Sequence, residues 1–276
     1  MRHLYYFSLF FLPFSIEAIQ QVSLEIGYAH TDCSFGFSQT LFQQIEEDWH
    51  DVSSVITGLE YSYKEPDYIE SRTAVTYSNT LSDHGSCFLK TGLPEEASAT
   101  FSHKLRGYSY SLEERLGYPF RLGAIYWSPL AGFFFESICW KRKNLSKKMS
   151  SAGTFFPQKR IHVRNIMPLV GLNVSYQPWR SASFLIDGSY AYQFGAMRLE
   201  SSYERNGNTT KEKVEEFSGI HDATIRGLLR ISHYAYIGIA GSYRKQKAKE
   251  KTLSRGKFTG MTREVLAIKT SLSFVF

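Results

Sequence analysis

Glu264-Val265-Leu266-Ala267-Ile268-Lys269-Thr270-Ser271-Leu272-Ser273-Phe274-Val275-Phe276 is the stretch whose reading decides the fold. Its even positions are Leu266, Ile268, Thr270, Leu272, Phe274 and Phe276. Its odd positions are Val265, Ala267, Lys269, Ser271, Ser273 and Val275. One face is oily and ends in two aromatics; the other is mostly small and polar and carries a Lys. Alternation with period two marks a strand with two unlike faces. A transmembrane β-strand has this pattern, with apolar residues against lipid, polar ones against a lumen and an aromatic ring at the interface.

The same alternation recurs upstream. Ala235–Arg244 sets Ile237, Ile239 and Tyr243 on one face, and Ala223–Ile231 sets Ile225, Leu229 and Ile231 against Arg226 and Arg230. Ser183–Phe194 sets Phe184, Ile186, Tyr190, Tyr192 and Phe194 against Asp187 and Ser189. His162–Tyr176, Lys104–Ile125, Tyr68–Leu81, Val55–Tyr63 and Val22–Cys33 read likewise, with Glu114 breaking the apolar phase of its strand. Ala131–Lys141 is apolar on both phases. The total is about ten strands, an even number as a single-chain bacterial barrel requires.

Connection lengths alternate too. Tight turns are expected at Lys64–Asp67, Ser128-Pro129, Gln177–Arg180 and Ser232–Tyr234. Long polar loops are expected at Ser38–Asp51, Ser82–Ser102, Arg142–Lys159, Glu200–Glu215 and Lys245–Gly260. Short periplasmic turns and long outer loops are the outer-membrane pattern. The predicted fold is therefore all-β: a transmembrane antiparallel up-and-down barrel of about ten strands, in one domain.

Composition agrees. The chain has 276 residues, 16% of them aromatic, with 21 Phe, 18 Tyr and 4 Trp but 8 Pro. Such residues favour pleated surfaces and membrane interfaces. A mean hydropathy of -0.27 excludes a polytopic helical membrane protein. Residues 1–18 read as a signal peptide, with Arg2 and His3 before the apolar run Leu4–Phe14 and a cleavage site near Ala18; residues 19–276 form the barrel. The expected location is the bacterial outer membrane. Three cysteines, Cys33, Cys87 and Cys139, cannot close among themselves. Cys87, placed in an outer loop, is expected to form a disulfide-linked oligomer in an oxidising envelope.

The inferred lumen face carries Glu25, Glu60, Glu70, Arg72, Asp187, Arg226, Arg230 and Lys269. Charges of both signs there predict a wet ion-pair network in a narrow bore. No metal-ligand cluster, phosphate loop or nucleophile elbow is present, so no cofactor or metal is expected. The sequence pI of about 9.0 comes without a nucleic-acid motif, so no nucleic-acid partner is expected. The basic run Lys141, Arg142, Lys143, Lys147 and Lys148 at an outer loop suits lipopolysaccharide phosphates or another acidic partner.

About ten strands with five long outer loops resembles the omptin architecture, a ten-stranded outer-membrane protease barrel. The stretch Met167-Pro168-Leu169-Val170-Gly171-Leu172-Asn173-Val174-Ser175-Tyr176 is similar to an omptin strand with Met-Pro, Gly-Leu and Ser-Tyr in that spacing. The closing Leu272, Phe274 and Phe276 resemble the terminal signal that the outer-membrane assembly machinery reads. The wealth of Tyr, Phe and Ser with scattered Cys also looks like chlamydia-type outer-membrane proteins.

The omptin resemblance implies an acidic pair in the second outer loop and an Asp and His close together in the fourth, where they activate a water. This sequence departs from that. Its second loop offers Asp83-His84, its fourth contains neither His nor Asp, and His221-Asp222 comes later, as neighbours that point to opposite faces of a strand. Glu47-Asp48-Trp49-His50-Asp51 falls in the first loop. A rim cluster of His50, Asp51, Asp83, His84, His221 and Asp222 is the catalytic candidate. The expected function is a non-enzymatic envelope, adhesion or ligand-binding role through the outer loops. The alternatives are an omptin-like endopeptidase with a rearranged site and a narrow solute channel.

Overall fold

The computed structural model describes residues 19–40, 43–65, 69–80, 85–91, 99–143, 158–176, 183–205, 208–253 and 256–276. The predicted signal peptide, residues 1–18, lies outside them. The described residues form β1 (Ile19–Thr40), β2 (Gln43–Glu65), β3 (Ile69–Thr80), β4 (Gly85–Thr91), β5 (Ala99–Gly117), β6 (Phe120–Leu122), β7 (Ile125–Lys143), β8 (Gln158–Tyr176), β9 (Phe184–Arg205), β10 (Asn208–Ser232), β11 (Ala235–Ala248), β12 (Lys251–Leu253) and β13 (Gly256–Val275). All pairings are antiparallel. β5 pairs with β7 and β1 with β13, so β1, β2, β3, β5, β7, β8, β9, β10, β11 and β13 close into a ten-stranded barrel. β6 continues the β5 stave, and β4 and β12 pair onto the outer ends of neighbouring strands.

Closure is what this sequence needs, because a barrel leaves no unpaired edge in a medium that offers backbone groups no water. The predicted parity holds on the last strand. Leu272, Phe274 and Phe276 are exposed on the outer wall, while Ser273 is fully buried on the lumen side with its Oγ 2.8 Å from Ser23 Oγ. The Phe276 amide donates to the Gln20 carbonyl at 3.0 Å, tying the chain end to β1.

Aromatic rims bound the exposed apolar wall. Tyr118, Phe120, Trp127, Tyr176, Phe184 and Tyr234 form the periplasmic rim; Tyr28, Tyr77, Tyr108 and Tyr243 form the outer one. On β5 the rims are ten residues apart, from Tyr108 to Tyr118. At about 3.3 Å rise and roughly 40° tilt this spans about 25 Å, the height of an outer-membrane apolar band.

Two expectations are corrected. Ser128 and Pro129 are not a turn: both lie inside β7, and the chain reverses at Gly123-Ala124, where Gly123 has φ +63°. Pro129 is accommodated because pairing pauses beside it. It accepts a bond from the Tyr118 amide at 3.4 Å but has no N–H to return, and the stave divides there into β5 and β6. The first and fourth outer loops are also shorter than the polar stretches suggested. Most of Ser38–Asp51 and nearly all of Glu200–Glu215 continue as paired strand, in β1–β2 and β9–β10. The barrel wall therefore rises well above the outer aromatic rim, where polar side chains face water on the outside.

Candidate functional site

The barrel interior is built in layers. The lower layer is the predicted ion-pair network. Arg226 holds Glu60 with both terminal nitrogens, at 2.8 Å each, and reaches Glu25 at 3.1 Å. Arg72 donates to Glu60 at 2.6 Å, and Lys269 to Glu25 at 3.0 Å. Asp187 lies 3.9 Å from Arg72, and Glu70 accepts from Asn173 at 3.0 Å. Arg230 lies at the periplasmic end and donates to the Ser232 carbonyl.

A second ring stands above it. Arg244 binds Asp222 through Nε at 2.8 Å and lies 3.6 Å from Glu136 and 3.9 Å from Glu113. Arg115 pairs with Glu113, and Arg263 donates to Glu136 at 2.6 Å. Sequence reading missed Glu113, Arg115, Glu136, Arg244 and Arg263. Glu136 lies in a segment apolar on both phases and Arg263 just before the last strand as read, whereas Glu113, Arg115 and Arg244 stand on the polar phase of recognised strands and are missing from the inferred lumen list. These groups line a cavity of about 160 Å³, room for a few waters.

Fully buried amides cap this ring. Asn165 donates to Glu136 at 2.8 Å, and Gln246 donates to Asn165 at 2.9 Å and Ser218 at 3.1 Å. Above them the bore turns apolar, against the expectation of a wet lumen throughout. Phe35, Phe37, Trp49, Leu105, Ile138, Trp140, Ile161, Val163, Leu199 and Phe258 pack into one cluster. Trp49 meets Phe35 edge-on at 5.2 Å and Trp140 at 4.9 Å. Water outside and a packed core inside reverse the lipid–lumen polarity of the wall. Trp140 and Ile138 point in while Lys141 points out.

This arrangement separates the catalytic candidates. Asp222 faces in, buried, and is held by Arg244. His221 faces out at the outer rim, its Nδ1 2.7 Å from the Tyr190 hydroxyl. They do not form a dyad. His50 and Asp51 lie in β2 rather than a loop, and their side chains fall outside the described residues, as do Asp83 and His84 altogether. Cys33 faces into the apolar cluster, whereas Cys139 faces out beneath Arg160, whose Nε lies 3.3 Å from its Sγ. Cys87 sits in β4, opposite Glu47 and Phe101; its side chain is outside the described set.

Of the basic run, Lys141 is exposed on the outer wall at the end of β7. Arg142 and Lys143 continue that strand with side chains outside the described residues, and Lys147 and Lys148 lie outside them altogether. Lys141 stands directly opposite Arg106 of β5 and Arg160 of β8, both exposed. Three cations thus abut across three strands, just above the Tyr108 rim. Arg164 lies four residues below Arg160 on β8, opposite Arg198 of β9, which is joined to Glu200 and near Glu215.

Layers, rims and topology define an outer-membrane-type β-barrel protein. Its fold is that of the omptin-type ten-stranded barrel. The outer-membrane protease OmpT of Escherichia coli superposes with a TM-score of 0.67 at 14% identity, over 96% of this chain and 99% of that one. The translocator domain of the autotransporter NalP of Neisseria meningitidis matches at TM-score 0.43 and 8% identity, over 94% and 88% of the two chains. A major outer-membrane protein of Thermus thermophilus matches at 0.41 and 10%, over 93% and 99%. No family model and no curated relative matches the chain.

Proposed function

We propose that this protein is a non-enzymatic surface barrel of the bacterial outer membrane, exported by the signal peptide read at residues 1–18. In this reading its outer wall binds lipopolysaccharide phosphates and its rim presents loops to the surroundings. The observation that carries the reading is the Arg106–Lys141–Arg160 row. Like charges directly opposite each other on a sheet repel. A row of them at the height of the lipid headgroups is stabilised by an anion that bridges them, and guanidinium groups suit phosphate geometry. The apolar cluster at the mouth supports the non-catalytic part. It closes the bore above the buried carboxylates, and His162 and His221 lie on strand positions that face outward, away from them. The same cluster, above a bore crossed by ion pairs, argues against a solute channel.

The test is binding of intact and dephosphorylated lipopolysaccharide to the refolded barrel. Replacing Arg106, Lys141 and Arg160 together by Ser is expected to weaken binding of the intact form by about tenfold or more and to leave the dephosphorylated form unchanged. Equal binding by both proteins would refute the reading. One observation favours a second reading, an endopeptidase acting at the rim: the fold shared with the outer-membrane protease OmpT. His50, Asp51, Asp83 and His84 would then supply the chemistry.

A further inference from the structure

At the periplasmic end of the bore stand two carboxylates and an amide that the ion-pair network leaves incompletely partnered. Glu70 is the second residue of β3, Asn173 the fourth from the end of β8 and Asp187 the fourth of β9, so all three lie at strand ends near the periplasmic aromatic rim. Glu70 reaches across the bore to Asn173, whose Nδ2 donates to it at 3.0 Å. Asp187 stands opposite Ser175 and Asn173 opposite Ser189, which makes Asn173 and Asp187 diagonal neighbours on one face. Diagonal pairs lie about 7–8 Å apart, within reach of one bridging group.

The bond to Glu70 fixes the Asn173 amide, because the reversed orientation would set its oxygen against a carboxylate. Asn173 is 7% exposed, and its Oδ1 is buried with no hydrogen-bond partner among the described residues. Asp187 Oδ1 is buried and unpartnered in the same way. Buried acceptors without donors are rare, and each calls for a ligand. The neighbouring cations are engaged elsewhere. Arg72 donates to Glu60 at 2.6 Å and stays 3.9 Å from Asp187. Lys64, opposite Glu70 in register, holds its ammonium 4.4 Å from the centre of the Tyr126 ring, and Arg121 lies over the same ring.

Glu70 and Asp187 also act on each other electrostatically. Like charges side by side in a desolvated site are neutralised by a cation and not by water. Carboxylate and amide oxygens, without His or Cys, are the ligands of a hard divalent cation. Calcium accepts such a mixed set in flexible geometry, completed by water, whereas magnesium demands a near-ideal octahedron. The two heteroatoms of an amide are about 2.3 Å apart. Asn173 Oδ1 therefore lies within about 5 Å of Glu70 Oε1, a separation that one ion with ligands at about 2.4 Å spans.

We propose that the periplasmic mouth of the barrel binds one calcium ion, held by Glu70, Asp187 and the Asn173 side-chain carbonyl, with water completing the shell. The ion ties β3 to β8 and β9 across the bore. It lies at the opposite end of the barrel from the cationic row and needs no lipopolysaccharide.

Urea unfolding of the full-length protein in detergent micelles free of lipopolysaccharide, with EDTA or with calcium, tests this. The native midpoint is expected to rise with calcium over about 0.1–1 mM, the range of weak extracellular sites. Glu70→Gln keeps the bond to Asn173 and removes a charged ligand. It should unfold no earlier than the native chain in EDTA and lose most of the calcium-dependent rise. Asp187→Asn should weaken the apparent affinity about tenfold or more. Glu215→Gln, at the outer end of β10, should respond to calcium as the native chain does. Terbium luminescence excited through the aromatic rings should report one site per native chain and none in the Glu70→Gln, Asp187→Asn double variant. A native midpoint equal in EDTA and calcium would overturn the proposal. So would equal calcium responses in Glu70→Gln and Glu215→Gln, which would mark an adventitious ion only.

Discussion

Arg226→Met tests whether the lumen network holds the barrel together. Arg226 is 5% exposed and bridges two carboxylates on two other strands, Glu60 of β2 and Glu25 of β1, from β10 across the bore. Met has a similar volume, so the loss is mainly electrostatic. Removing one partner from a buried ion pair costs about 3–5 kcal/mol, because a charge is left uncompensated. Here each carboxylate keeps one cation: Arg72 stays 2.6 Å from Glu60, and Lys269 stays 3.0 Å from Glu25. The expected cost is therefore at the low end, about 3 kcal/mol. With a urea slope of about 2–3 kcal/mol/M, the unfolding midpoint in vesicles should fall by roughly 1 M. Arg230→Met is the control. Arg230 lies on the same strand and lumen face, but its bonds go to the exposed turn at Ser232 and His233, so its cost should stay within about 0.5 kcal/mol. Equal midpoint shifts for the two variants would show that the central network adds nothing beyond ordinary surface charge.

Other expectations concern the wall and the rim. Leu272→Lys places a cation on the lipid face and should cost about 2 kcal/mol or more in folding equilibrium, whereas native Lys269, facing in, is met by Glu25. Gly132→Ala should impair folding, because a Cβ there would stand 1.9 Å from the Glu114 carbonyl oxygen. Gly241→Ala, with nothing closer than 4.0 Å, should fold like the native chain, as judged by heat-modified gel mobility. Above the outer rim, burial raises the Glu200 carboxyl pKa, but the Arg198 bond and charge outweigh it and hold it low; the Lys213 bond lowers that of Glu215. Lowered carboxylate pKa values stabilise above the unfolded value near 4.3 and lose that contribution as pH falls through the folded one. Amide protection factors, taken relative to the intrinsic rate at each pH, should accordingly fall at the outer ends of β9 and β10 below about pH 4 while those at the periplasmic ends hold; an equal fall at both ends would contradict this. Disulfide-linked oligomers formed without reductant should vanish in Cys87→Ser, since Cys33 and Cys139 are buried.

The membrane belt was legible because lipid and a hydrated lumen impose opposite demands on alternate residues. Leu272 against Ser273, and Ile225 against Arg226, carry that signal plainly. It failed above the belt. There the outside is water and the inside is packed, so Ile138-Cys139-Trp140 reads as apolar on both phases. Polar outward residues such as Glu200 and Lys213 read as loop, although they alternate with buried Leu199 and Val214. Glu136 was hidden for the same reason. Opposite facing of His221 and Asp222 did follow from adjacency alone. The Arg106–Lys141–Arg160 row did not, because it is a product of register among three strands, which no single segment encodes.

The central claim, that the barrel works from its outer wall and not as a hydrolase, is tested most directly by peptide cleavage. Full-length protein refolded with lipopolysaccharide would be incubated with a library of fluorogenic peptides. The account predicts no turnover, with or without lipopolysaccharide. Cleavage that depends on lipopolysaccharide and disappears in Asp83→Asn or His84→Ala would contradict it and assign the chemistry to the rim.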